Sequence, residues 1–322
     1  MLTHEALAEK PEIKIGTQRL LETPIDFTPI EKFLEVEIPE YKFRIIPYSP
    51  TPLLDSFYWG EIDFSLCTPY TYYLIMQNKG CKILATLTIQ GPNKKILKLQ
   101  AGVIICKADR VDINLLTDIR NKTIASPGKD YFAAWILPLY EFSKHNLLPI
   151  HNHASVIFTG SHEATIQSVL NGVADIGCVD AYILWKLTNE GKINSNDIKI
   201  INQKEPNINF PIPHSTDVFP EYCFISQLNV PEELQRKIAV ALMRIPPDNP
   251  LTSVIGFAGF STPEDYSGIE KILKTIRHHP FEKPIRIGFK DFVISNWQSI
   301  IAILLIWILL TVFVITLMYA LH

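Results

Sequence analysis

The chain has 322 residues, 47% of them hydrophobic, and a formal net charge of -3 from 30 basic and 33 acidic side chains. That is enough for one large core or two of ordinary size, and the near balance of charge excludes nucleic acid as a partner, since neutralising phosphates takes clustered Lys and Arg. Five cysteines, an odd number with no C-x-x-C spacing, argue against a disulfide framework or a metal site.

Residues 1–11 carry no basic or long apolar segment, yet Ala6-Leu7-Ala8 has the small-x-small form of a signal peptidase site. The stretch is either the remnant of an export signal or a polar leader. Short, apolar, β-branched runs follow at 13–17, 41–49, 62–67, 82–89, 102–108, 122–126, 154–160, 174–180 and 198–203. Each reads as a strand covered on both faces. Helical patterns lie between them, at 29–36, 52–59, 70–77, 131–144, 163–171 and 181–190. Such alternation predicts an α/β fold of mostly parallel sheets with helices on both sides. Cys67, Cys106 and Cys178 fall within these runs and Cys223 within the apolar stretch EYCFIS, where a thiol acts as a small hydrophobe.

Two of these stretches repeat one phrase. WGEIDFSLCTPY (59–70) and NGVADIGCVDAY (171–182) match at Gly60 and Gly172, Asp63 and Asp175, Tyr70 and Tyr182, always 112 positions apart. Each copy reads as the same helix-strand-helix step, one in each of two lobes. Ligands of open α/β sheets bind beyond the carboxyl ends of strands, where helix N-termini offer N–H groups and positive dipole. Two facing lobes would present two such rims to one cleft. The residues just past strand ends are therefore the candidate ligand contacts: Gln18, Thr68, Tyr72, Ser126, Tyr131, Ser161, His162, Asp180 and Tyr182, with Trp135 adding aromatic surface. Ser161 can cap the helix that begins at His162, and His162 then stands at that helix's positive end, where an imidazole suits an oxyanion or polar ligand. No nucleophile-base pair, phosphate loop or metal-ligand spacing is present, so neither catalysis nor a cofactor is expected.

After Asp291 there is no charged residue except His, and 300–321 reads IIAILLIWILLTVFVITLMYAL. This is long enough to cross a hydrocarbon layer of about 30 Å, and its roughly fifteen Ile, Leu, Val and Phe residues at about -0.4 kcal/mol each favour insertion by some 6 kcal/mol. A transmembrane helix over 297–321 is expected, with Trp297 and Tyr319 at the interfaces.

CTPYTYYL, IASPGKDYFAAWILP, FTGSHEATIQSVLNGVADIGCVD, ALMRIPPDNP and GFAGFSTPEDYSGIEKIL together resemble the phosphonate-binding type of periplasmic solute-binding domain. The version they resemble serves as extracytoplasmic sensor in tetrathionate-type sensor histidine kinases, and the resemblance runs from about Ile13 to Trp297. It implies a two-lobed periplasmic-binding-protein-like fold with mixed sheets. The first lobe would hold 12–110 and a return over 221–290, the second 111–220. By the same resemblance Tyr72, His162 and Asp180 are ligand contacts. The family's hydroxyl residues before the helix are replaced here by Tyr131, Phe132, Ala133 and Ala134, which argues against a phosphonate and for a less hydrated anion or small polar solute. The implied partners are that solute, the membrane, and a histidine kinase or an ABC permease, with the ligand domain periplasmic or extracellular.

Overall fold

The strand-like runs form strands because each buries alternate or successive branched side chains, and the helices Pro69–Asn78, His162–Leu170 and Ala181–Asn189 start at the capping side chains of Thr68, Ser161 and Asp180. In chain order the first lobe holds β1 (Glu12–Gln18), α1 (Thr28–Glu37), β2 (Lys42–Tyr48), α2 (Pro50–Trp59), β3 (Phe64–Cys67), α3 (Pro69–Asn78), β4 (Lys82–Gln90) and β5 (Ile96–Leu97). A short strand, β6 (Leu99–Gln100), leaves it. The second lobe holds β7 (Gly102–Lys107), β8 (Thr123–Ser126), a π-helical turn (Phe132–Ile136) running into α4 (Leu137–Lys144), β9 (Ser155–Phe158), α5 (His162–Leu170), β10 (Ile176–Asp180), α6 (Ala181–Asn189) and β11 (Ile198–Ile201). The chain returns through β12 (Phe219–Pro220) to β13 (Cys223–Ser226), α7 (Glu232–Met243), β14 (Gly259–Ser261) and α8 (Ile269–Ile276). This computed structural model describes residues 10–18, 26–247, 249, 251, 257–282, 297–298, 301 and 305–313.

Both sheets are mixed. The first runs β14-β4-β13-β3-β1-β2, with β5 on β4, and the second β11-β7-β10-β8-β9. Only β1 with β2 and β3, and β8 with β9 and β10, pair in parallel. The mostly parallel expectation fails because β13, β14 and β7 enter their sheets antiparallel. β7 falls within the 12–110 expected for the first lobe, yet it lies between β11 and β10 in the second sheet. Its apolar run GVIICK suits either sheet by pattern, so only pairing assigns it. The crossing therefore falls at β6, which pairs antiparallel with β12, Gln100 opposite Phe219 and Leu99 opposite Pro220. These two strands are where the chain crosses between the two sheets, the position of a double hinge in a two-lobed fold.

In the first lobe Ile30 and Leu34 of α1 and Leu234, Ile238 and Leu242 of α7 bury against Ile15, Leu66 and Phe224 of the sheet. In the second, Trp135, Leu139 and Phe142 cover one face at Ile104, Ile124 and Ile176, and Ile166, Leu184 and Leu187 share a core with Val103 and Ile105. Each such side chain contributes about 1.5–3 kcal/mol on burial.

The contact pattern splits the chain into Met1–Pro280 and a second unit, Phe281–His322. Most of the span expected at 297–321 lies outside the described residues, and the leader at 1–11 does so up to residue 9. Among the described residues no helix is long and apolar enough to cross a membrane; residues 305–313 are helical, with Leu305, Trp307, Leu309 and Phe313 exposed.

Candidate functional site

The repeated phrase has a concrete geometry. Gly60 and Gly172 end α2 and α5 with φ of 73° and 72°, the left-handed region open to glycine without strain. Asp63 Oδ2 then accepts from Lys14 N–H at 2.8 Å, at the start of neighbouring β1, and Asp175 Oδ2 accepts from Thr123 N–H at 2.8 Å, at the start of β8. Both aspartates thus pin a strand's entry to its parallel neighbour and lie at the end opposite the rim. Burial alone would raise the Asp175 carboxyl, but Thr123 N–H and the Arg110 guanidinium at 2.6 Å bring it below its ordinary value.

The functional positions sit at the other end of each copy. Thr68 and Asp180, again 112 positions apart, are the N-caps of α3 and α6. Thr68 Oγ1 accepts from Thr71 N–H at 3.2 Å; Asp180 Oδ1 accepts from Tyr182 N–H at 2.7 Å and Ile183 N–H at 3.3 Å. Both face one cavity of about 190 Å³ between the lobes. Its wall holds Gln18, Ser49, Pro50, Thr68 and Tyr222 from the first lobe, Gln100 from the hinge, and Tyr131 to Ala134, His162 and Asp180 from the second. An apolar cavity against α6, lined by Leu184, Trp185 and Ile198, touches the second lobe only.

Local bonding sets what this wall offers. Gln18 Oε1 accepts from Thr71 Oγ1 at 3.0 Å and Thr68 N–H at 3.4 Å, which leaves the donor end of its amide. His162 Nδ1 accepts from Asp180 N–H at 3.3 Å, and desolvation lowers the imidazole to about 4. The ring is therefore neutral near pH 7, with Nε2 as its N–H donor. Tyr131 stands edge-on to it at 5.4 Å. The first turn of a helical segment has N–H groups with no intrahelical acceptor, and here that turn, Phe132 to Ala134, is in the wall; buried Ser126 supports it by donating to Ala134 O at 3.2 Å.

Among the described residues the charged members of this region are acids. Asp180 approaches from the second lobe, and Glu221, 5% exposed, directly follows hinge strand β12. Burial raises both carboxyls, and the charge of Asp180 further raises Glu221, which reaches about 8. Tyr222, whose N–H donates to Glu221 Oε2 at 3.2 Å, is pushed up by the same burial and acids. Among the described residues no Lys or Arg lines the cavity.

Of the ten candidates read from the sequence, Gln18, Thr68, Tyr131, His162 and Asp180 meet at this cavity. Ser161 caps α5, accepting from Ala164 N–H at 3.0 Å, and the Tyr182 ring lies on Trp185 at 5.7 Å. Tyr72 turns away to pack 5.5 Å from Tyr266, where burial raises its hydroxyl to about 12. Trp135 does not line the cavity: it is buried edge-on to Phe158 at 5.5 Å, because the π-helical turn rotates it into the second lobe's core. Gln100, Glu221 and Tyr222 escaped the sequence reading. A buried Gln and Glu beside otherwise apolar strands were the available signal. Ser49-Pro50, which ends β2 and starts α2, fits the strand-end rule that found the others.

Two α/β lobes, two antiparallel crossing strands and a polar cavity walled by both lobes and the hinge define a two-lobed periplasmic-type solute-binding protein. The comparisons agree: residues 22–267 match the family described as ABC transporter, phosphonate, periplasmic substrate-binding protein, and the chain belongs to that family. Over 314 residues it is 23% identical to a tetrathionate sensor histidine kinase from Salmonella typhimurium, covering 97% of this chain and 51% of that protein. The chain thus spans about half the length of this curated relative. Among solved structures it is similar to a binding-protein component of an ABC phosphonate transporter from Pseudomonas aeruginosa (13% identity, TM-score 0.64, 90% of this chain and 94% of that one). It is also similar to PhnD1 from Prochlorococcus marinus in complex with methylphosphonate (13%, 0.63, 84% and 99%). At such identities the structures establish the fold.

Proposed function

We propose that this chain is the extracytoplasmic ligand-binding module of a membrane-anchored signalling protein, closing its two lobes on a small anion or polar solute. The observation that carries this reading is the cavity whose wall combines both lobes with hinge residue Gln100: a ligand filling it stabilises the closed form by its preference for that form, which is the change a receptor reports. Sensing is favoured by the similarity to a sensor kinase along 97% of the chain. Anchoring is favoured by the uncharged apolar run 300–321 and by the exposed apolar side chains of 305–313, which suit lipid. A second reading, supported by family membership, is a membrane-tethered binding subunit of an anion-type ABC transporter. In both readings the domain binds and does not catalyse.

Gln18, Thr68, Tyr131, His162 and Asp180 are the proposed contacts. The Phe132–Ala134 turn and neutral His162 supply N–H donors, whereas the buried acids Asp180 and Glu221 disfavour a compact dianion such as a phosphonate. A more diffuse anion fits better, and the sulfur oxyanion named for the similar kinase is a candidate of that kind. A thermal-shift screen of sulfur and phosphorus oxyanions tests this. Saturation at a hundred times Kd adds about 2.7 kcal/mol of stability, and Thr68→Val and His162→Ala should each abolish most of that shift. A confirmed ligand whose shift survives both substitutions would refute the site.

A further inference from the structure

Cys67 ends β3 and Cys223 opens β13, and the two are direct partners in the antiparallel ladder. Their sulfurs are 4.0 Å apart although the residues are 156 positions apart in sequence, and Cys223 Sγ also lies 3.6 Å from the Cys67 carbonyl oxygen. Directly opposed residues of an antiparallel pair have Cα atoms about 4.5–5.5 Å apart, inside the range of about 4.4–6.8 Å that a disulfide spans. Side-chain rotation alone can bring the sulfurs to bonding distance. Both thiols are fully buried, and among the described residues no His, Cys, Asp and Glu group is arranged to hold a metal, so a metal-thiolate reading does not compete.

We infer that Cys67 and Cys223 are a disulfide-forming pair that ties β3 to β13 directly beneath the cleft. Each cysteine adjoins a residue of the cavity wall: Cys67 precedes Thr68, the cap of α3, and Cys223 follows Tyr222. Glu221 and hinge strand β12 come immediately before that. The bond would fasten the cavity floor at the point where the chain re-enters the first lobe from the hinge. The chemistry is ordinary exchange with a small disulfide. One cysteine thiolate attacks it, forming a mixed disulfide and releasing one thiolate; the second cysteine then displaces the other. Two cysteine sulfurs are oxidised by two electrons, one disulfide is reduced to two thiols, and the two cysteine protons pass to the leaving thiolates. Whether the bond forms in the cell rests on the extracytoplasmic placement proposed above; the pairing itself does not.

The test uses the full chain purified in detergent, unfolded and refolded in oxidised plus reduced glutathione, then alkylated in denaturant and digested. Of the five cysteines, three should alkylate after oxidation and all five after dithiothreitol, with one linked peptide pair holding Cys67 and Cys223. The oxidised protein should melt several degrees higher, and Cys67→Ser should remove both the linked pair and the redox dependence of Tm. Labelling of all five cysteines after oxidation, or a link through Cys81 instead, overturns the assignment. Because no ligand is used, this outcome is independent of whether the solute screen succeeds.

Discussion

Glu221→Gln isolates the electrostatics of the cleft. In the folded chain Glu221 is buried and faces the charge of Asp180, so its carboxyl is raised from 4.5 to about 8. A carboxyl raised by folding binds its proton more tightly in the folded than in the unfolded state. Its contribution is therefore complete at and below about pH 4.5 and is lost as pH rises toward 8. At ~1.4 kcal/mol per unit, the loss across that window is on the order of 4 kcal/mol. Gln keeps the volume and an acceptor for the Tyr222 N–H but cannot ionise. The variant should match the wild type at pH 4.5 and exceed it at pH 8 by roughly 10 °C in Tm, taking about 2–4 °C per kcal/mol for a domain of this size. Thermal unfolding followed by tryptophan fluorescence from pH 4.5 to 8.5 measures this. A Tm difference that stays constant across the range, or a variant less stable at pH 8, refutes the account of a strained acid pair.

Two further substitutions test how the wall is built. At Gly102 an added Cβ would lie 2.4 Å from Ala133 O and 3.0 Å from both Pro138 Cδ and Thr216 Cγ2, so Gly102→Ala should displace the cavity-lining turn and cost about 1–3 kcal/mol in urea unfolding; a cost below ~0.5 kcal/mol would show that the turn yields freely. Asp175→Ala removes the acceptor of Thr123 N–H and the partner of Arg110 and should cost about 1–2 kcal/mol at pH 7, the carboxylate being partly exposed. Because its folded value is lowered, that contribution is present above the ordinary Asp range and is lost as pH falls through the folded value. A urea-midpoint difference unchanged between pH 7 and pH 2.5 contradicts the pinning role.

The repeat shows how far a local pattern carries. Gly60 and Gly172 needed a left-handed turn, and Asp63 and Asp175 needed a backbone donor just ahead of a strand; both are requirements of chain segments a few residues long. Thr68 and Asp180 followed from the rule that residues just past strand ends face the cleft; that both also cap the next helix is a local requirement of the same position. Tyr72 and Trp135 lie outside the cavity wall because their helical phase is set by packing, Tyr72 against Tyr266 and Trp135 against Phe158. Nothing within their own segments marks which face meets solvent.

Elements, caps and the two-lobe rhythm were therefore determined by the sequence alone, since hydrophobic period, capping and turn chemistry act over a few residues. Tertiary structure decided the sheet to which β7 belongs, the meeting of Asp180 with Glu221, and the approach of Cys67 to Cys223. Each depends on which distant strands pair, and an apolar β-branched run satisfies several pairings equally well until the whole core selects one.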